Sequence, residues 1–118
     1  FIANYDSLIT MIKQVSPDCF YIFITNNDSF RKEKIEGQTY YHVNENGDNA
    51  REVFYILAEK HDAALWDLFN IMGGMESMMR WEEEGLAKKD KIHFTNKGYT
   101  LIGDLFFNAL MRFYSERI

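Results

Sequence analysis

The sequence predicts a three-layer α/β fold with parallel strands. Two short apolar runs, CFYIFIT (residues 19–25) and AALWDLF (63–69), have the length and the β-branched and aromatic content of strands buried on both faces. Segments of helical periodicity lie before, between and after them. Strands that alternate with helices pair in parallel through crossover connections.

Each element has its own signal. In residues 1–15, Phe1, Tyr5, Leu8, Ile9, Ile12 and Val15 fall on one helical face, and Pro17 closes the segment. Strand 19–25 follows and ends in the turn-forming run Asn26-Asn27-Asp28-Ser29. Residues 30–48 are polar and irregular and read as a long loop. Asn49 and Glu52 form a capping box for a second helix, striped by Ala50, Val53, Phe54 and Leu57 and reaching about His61. Strand 63–69 is followed by Gly73 and Gly74, then by a short helix over 75–84 that Gly85 stops. The loop from Leu86 to Phe94 leads to a last helix, capped by Thr95 or Asn96, with Tyr99, Ile102, Leu105, Phe106, Ala109, Leu110 and Phe113 as its stripe.

The 118 residues suit one domain, and 47% hydrophobic residues are enough for a core. Two buried strands, however, cannot hold four helices in a stable sandwich. The chain also begins with Phe1 rather than Met. Together these predict that residues 1–118 are the C-terminal portion of a larger single domain. Such a portion exposes apolar surface, so its expected partner is the missing N-terminal half or a second copy.

The net charge of −5, with both signs interspersed, argues against a nucleic-acid partner. The patch Arg31–Lys34 is short, is interrupted by Glu33 and reads as a solvated loop. Cys19 stands alone, inside the first predicted strand, and reads as a buried strand residue. No apolar run approaches the roughly 18 residues of a membrane span, and no signal peptide is visible in this chain. No metal-ligand spacing is present, and no cofactor is implied.

The stretch KDKIHFTNKGY (89–99) carries the chemistry. Asp90 lies three residues before His93, a spacing that can fold a carboxylate onto its own histidine. In such a pair the histidine acts as general base and the carboxylate fixes its tautomer. With eight Asp and three His, a D-x-x-H arises by chance in about one such sequence in five. The alternative is a simple cap on the last helix. Position favours the first reading, because open α/β sheets build their sites in loops after strand C-termini.

This block, GLAKKDKIHFTNKGYTLIGDLFFNAL, resembles the C-terminal block of the SGNH (GDSL-type) hydrolases, in which a D-x-x-H precedes a terminal helix. AALWDLFNIMGG and SMMRWEEEGLA resemble the branch that includes carbohydrate and peptidoglycan O-acetylesterases. FIANYDSLITMIKQVSPDCFYIFIT is similar to the helix and strand that follow the family's Asn block. The resemblance implies a flavodoxin-like α/β/α domain and a serine esterase, with Asp90 and His93 as triad acid and base. It further implies an acyl-ester substrate, preferably an O-acetylated carbohydrate, and an extracytoplasmic (periplasmic or secreted) setting. The chain departs from the pattern in lacking Gly-Asp-Ser, G-x-N-D and G-T-N. The resemblance therefore implies that the nucleophile and oxyanion blocks lie outside it, and that the chain is inactive alone. A non-catalytic SGNH-like binding module, or a fragment without function of its own, is the alternative.

Other candidates each have an ordinary reading. Ser29 in NNDS imitates the nucleophile motif, but Asn27 replaces the Gly and a loop follows instead of a helix. Asp67, at the end of the second strand, either binds substrate or bonds a neighbouring loop. Met72, Met75, Met78 and Met79 with Trp81 either pack a short helix or make a pliable wall beside the acyl group, with Met75 and Trp81 as its substrate contacts. His42 and His61 read as surface residues, and Glu82–Glu84 as a solvated helix end.

Overall fold

The apolar runs form strands, but shorter ones than their sequence extent. In the computed structural model, which describes residues 1–117, β1 (Ile22–Ile24) pairs in parallel with β4 (Ala64–Trp66). Between them come a hairpin of β2 (Phe30–Ile35) and β3 (Gln38–Val43) and then helix α2 (Gly47–Lys60). Helix α1 (Ile2–Val15) precedes β1. After β4 follow α3 (Leu68–Ile71), α4 (Ser77–Glu83) and α5 (Asn96–Glu116).

The β1–β4 pair is packed closely on one face and partly covered on the other. Phe23 enters a core with Ile9 of α1 and Leu57 and Ala58 of α2, flanked by Tyr5 and Phe54. On the other face Trp66 meets Phe106 of α5 edge-on at 5.2 Å. A second core lies under the hairpin base: Phe30, Met72, Met78, Trp81, Ala87 and Phe94, with Val43 and Ile102 against it. The layered α/β arrangement with adjacent parallel strands is therefore as the sequence predicts.

Several elements differ from expectation. Residues 30–48 are not a loop: 30–43 are the antiparallel hairpin, turned by Glu36 and Gly37, both at positive φ (50° and 80°). Positive φ at both central residues is the type I′ geometry that matches strand twist. Helix α2 starts at Gly47 and has no side-chain cap, so Asn49 and Glu52 form no capping box. The second strand stops at Trp66 because Asp67 turns to cap α3, accepting the Asn70 N–H. Cys19 is exposed and precedes the strand, its Sγ donating to Ser16 Oγ at 3.1 Å. Leu8 and Val15 face solvent; Ile9 alone on α1 is buried.

His61 is not a surface residue either. Its side chain is 9% exposed and its Nε2 lies 2.7 Å from Asp6 Oδ1, while Lys60 pairs with the other oxygen. The cluster pins α1 to the end of α2. Hydrogen bonds from Lys60 and then His61 hold the Asp6 carboxyl below its ordinary range. A depressed carboxyl stabilises the fold above its unfolded pKa, and that contribution is lost as pH falls through the folded value. Asp6→Asn should therefore lower Tm at neutral pH, and the gap to the native chain should close as pH falls through the lowered pKa of Asp6. Thermal melts showing the same gap at neutral and at strongly acidic pH would refute this.

The molecule is extended for its length. Its radius of gyration is 16.8 Å, against about 13.5 Å for a complete domain of this size. Its accessible surface is 8412 Å², against about 6700 Å² expected for its mass. Ile22 and Ile24 of β1 are 36% and 43% exposed, and on α5 only Gly98 is fully buried. An apolar groove of about 650 Å³ runs between the strands and α5, floored by Ile22 and Leu65 and walled by Leu110 and Phe113. Among the described residues no helix is long and apolar enough to cross a membrane.

Candidate active site

The loop between α4 and α5 is a tied structure. Gly85, at φ 72°, ends α4. An antiparallel bridge joins Ala87 to Phe94, and the Lys88 N–H donates to the His93 carbonyl at 2.8 Å. Phe94 is buried against Trp81 and Tyr99, with ring centres 5.3 and 5.4 Å away. Thr95 caps α5 by accepting from the Gly98 N–H. Lys91 adopts a positive φ of 56° and folds the loop tip back on Asp90.

That turn lets one carboxylate do two things. Asp90 Oδ1 accepts the N–H groups of Ile92 (2.9 Å) and His93 (3.0 Å). Asp90 Oδ2 lies 2.7 Å from His93 Nδ1. The hydrogen bond to the ring, followed by the one from the His93 backbone, lowers the Asp90 carboxyl to about 2. The carboxylate is thus ionised throughout the neutral range and can only accept, so Nδ1 carries the proton. In the neutral ring, Nε2 is left with its lone pair free.

His93 is well exposed, with 62% of its side-chain surface accessible. Among the described residues Nε2 has no hydrogen-bond partner. The ring lines a cleft of about 510 Å³ with Ile24, Asn27, Trp66 and Tyr99. Ile24 and Trp66 are the C-terminal residues of the parallel strands, where α/β sheets place their sites. A backed histidine with a free outer nitrogen beside an open cleft is suited to taking a proton from a group placed there.

The other candidates lie elsewhere. Asp67 is saturated: Oδ1 accepts from Thr25 Oγ1 and the Asn70 N–H, and Oδ2 from Arg51 Nε, Tyr55 Oη and Asn70 Nδ2. Those hydrogen bonds hold its carboxyl low against the opposing effect of burial. It ties α2 to the strand ends and has no acceptor left for substrate. Trp81 is buried in the second core, its Nε1 donating to the Met72 carbonyl at 2.8 Å. Met72 and Met78 are buried with it, and Met75 lines a separate pocket with Gly73 and Arg80. None of Asp67, Met75 and Trp81 lines the His93 cleft; Met72 and Met78 pack the second core, and Met79 is exposed. Ser29 leads into β2, with Asn44 Nδ2 at 3.5 Å from its Oγ, and is also outside the cleft.

Two residues that sequence reasoning passed over hold the site together. Asn27 lines the cleft and donates through Nδ2 to the carbonyls of Asp28 (2.7 Å) and Ile92 (3.3 Å), joining the loop after β1 to the histidine loop. Asp28 is completely buried and accepts the Met78 N–H at 2.9 Å, capping α4 from across the fold. Burial pushes its carboxyl up. The only sequence signal was the density of polar residues directly after an apolar strand.

No protein-family profile matches the chain, and no curated sequence does. A solved structure does: one described as "Peptidoglycan O-acetylesterase in action, 5 min" superimposes with a TM-score of 0.81 at 21% identity. The match covers 98% of this chain and 33% of that one. The chain thus shares the fold of part of that structure and spans about a third of its length.

Proposed function

We propose that this chain is the C-terminal portion of an SGNH-type serine esterase domain and supplies the acid and base of its triad. The observation that carries the reading is Asp90 behind His93 Nδ1 at 2.7 Å, in a histidine that lines the cleft at the strand ends. The two-stranded sheet, the uncovered stripe of α5 and the excess surface support an upstream portion that completes the sheet against β1 and the apolar groove.

In the complete domain a serine from that upstream portion attacks the ester carbonyl. His93 Nε2 takes its proton, and Asp90 holds the Nδ1–H and stabilises the imidazolium. Upstream donors hold the oxyanion of the tetrahedral intermediate. Collapse passes the proton from His93 to the leaving alkoxide, and water then releases the acyl group by the same route. The structural neighbour, a peptidoglycan O-acetylesterase, supports O-acetyl groups on a carbohydrate as substrate, and an extracytoplasmic parent.

The experiment is hydrolysis of p-nitrophenyl acetate and of an acetylated glycan by the full-length parent, by this chain and by its His93→Ala variant. The parent should turn over both, while this chain should not exceed its variant. Turnover by the isolated chain above the variant would place a nucleophile within residues 1–118 and reinstate Ser29. An inactive parent would sink the esterase reading.

A further inference from the structure

The β2–β3 hairpin separates its charges by face. Directly opposed residues of an antiparallel pair share a face, so Lys32, Lys34, Thr39 and Tyr41 lie on one side. Arg31, Glu33, Tyr40 and His42 lie on the other. That second side neutralises itself, with His42 Nε2 2.9 Å from Glu33 Oε2 and Tyr40 donating to Gln38. Among its strand residues the first side carries no acid; outside the strands, the nearest in sequence are Glu36 in the turn and Asp90, which is bound to His93. It gains a third ammonium from the histidine loop, because Lys91 Nζ stands 4.2 Å from the centre of the Tyr41 ring. The Phe30 N–H also donates to the Lys91 carbonyl at 3.0 Å, so the hairpin base is fastened to the loop two residues from His93. In a chain of net charge −5 this face gathers three ammonium groups.

We propose that Lys32, Lys34 and Lys91, with Tyr41 holding Lys91 in place, form a binding surface for a carbohydrate chain bearing carboxylates, and lay it alongside His93. The identification of the polymer as a carbohydrate rests on the esterase reading; the charge requirement rests on the hairpin alone. Lys32 and Lys34 are two strand residues apart, about 7 Å, so they meet successive charges along an extended polymer rather than one small anion. Lysine ammoniums act as point charges and need no bidentate partner, which suits carboxylates on a flexible chain. The negative charge of the whole molecule opposes a dense polyphosphate, so a sparsely charged glycan fits better than a nucleic acid.

The test is binding of the 118-residue chain, at near-neutral pH and low salt, to immobilised carboxymethyl cellulose, hydroxyethyl cellulose and single-stranded DNA. Binding is expected to the carboxylated polymer alone and to weaken with salt. Lys32→Gln with Lys34→Gln should weaken it about tenfold, and Arg31→Gln, on the opposite face, less than about twofold. All three positions are exposed, so the fold is unaffected and amide NMR dispersion checks it. Equal binding to the neutral polymer, an equal loss in Arg31→Gln, or preference for DNA would overturn the proposal. Binding is read without turnover, so an inactive parent with intact glycan binding separates failure of the esterase reading from failure of this one.

Discussion

Asp90→Asn in the full-length parent is expected to lower kcat for acetyl-ester hydrolysis by about 10³- to 10⁴-fold. The same change should move the Tm of the 118-residue chain by less than about 5 °C. The two effects separate because Asp90 uses its oxygens differently. An asparagine Oδ1 still accepts the N–H groups of Ile92 and His93, so the turn survives. The other oxygen becomes an NH₂ donor facing His93 Nδ1. The ring must then accept at Nδ1 and carry its proton on Nε2, the nitrogen proposed to take the proton from serine. Nitrogen chemical shifts of the imidazole report this directly in the isolated chain: Nδ1–H in the native protein, Nε2–H in the variant. Comparable losses of turnover and stability, or an unchanged tautomer, would reduce Asp90 to a turn-forming residue. His93→Ala should match the loss of turnover with even less effect on Tm, since that side chain is mostly exposed.

The Asp90–His93 pair was legible in the sequence because every contact that makes it lies within one turn. The parallel strands were legible because apolar residues run through them without interruption, on the packed face of Phe23 and on the partly open face of Ile22 and Ile24 alike. The hairpin was not. FRKEKI and QTYYHV are exposed along almost their whole length, so no alternation of apolar and polar residues marks them. Their one signal was the Glu36-Gly37 turn, which requires positive φ twice and was hidden by a glutamate in the first position. His61 was misjudged because its partner is 55 residues away, and the two readings of Asp67 stayed open because its partners, Thr25 after β1 and Arg51 and Tyr55 on α2, are distant in the chain. Local spacing cannot show contacts that the tertiary fold makes. The buried Asp28 belongs to the same class, since its donor at Met78 is 50 residues on.

Glycine in α5 provides the largest expected effect on stability, from two identical substitutions with opposite outcomes. Gly98→Ala should destabilise the chain by about 3 kcal/mol or more. Gly103→Ala should stabilise it by about 0.5–1 kcal/mol. Both residues lie in the same helix, and neither has a positive φ. At Gly103 an added Cβ meets nothing within 4 Å, so only the gain in helix propensity remains. At Gly98 it would overlap the Leu86 carbonyl oxygen, and would lie 2.9 Å from that carbonyl carbon and 3.2 Å from Phe94 Cβ. The carbonyl cannot swing aside freely, because it accepts the Thr95 N–H at 3.0 Å next to the Ala87–Phe94 bridge. Relief therefore requires the first turn of α5 to move off the loop. That movement would pull Phe94 from the second core and shift the neighbouring His93. Gly98→Ala should thus lower both Tm and the activity of the parent, and should disturb the Asp90–His93 hydrogen bond in imidazole NMR even below the melting transition. If Gly98→Ala melts within about 2 °C of the native chain, the close approach of α5 to Leu86 is not what holds the histidine loop in place.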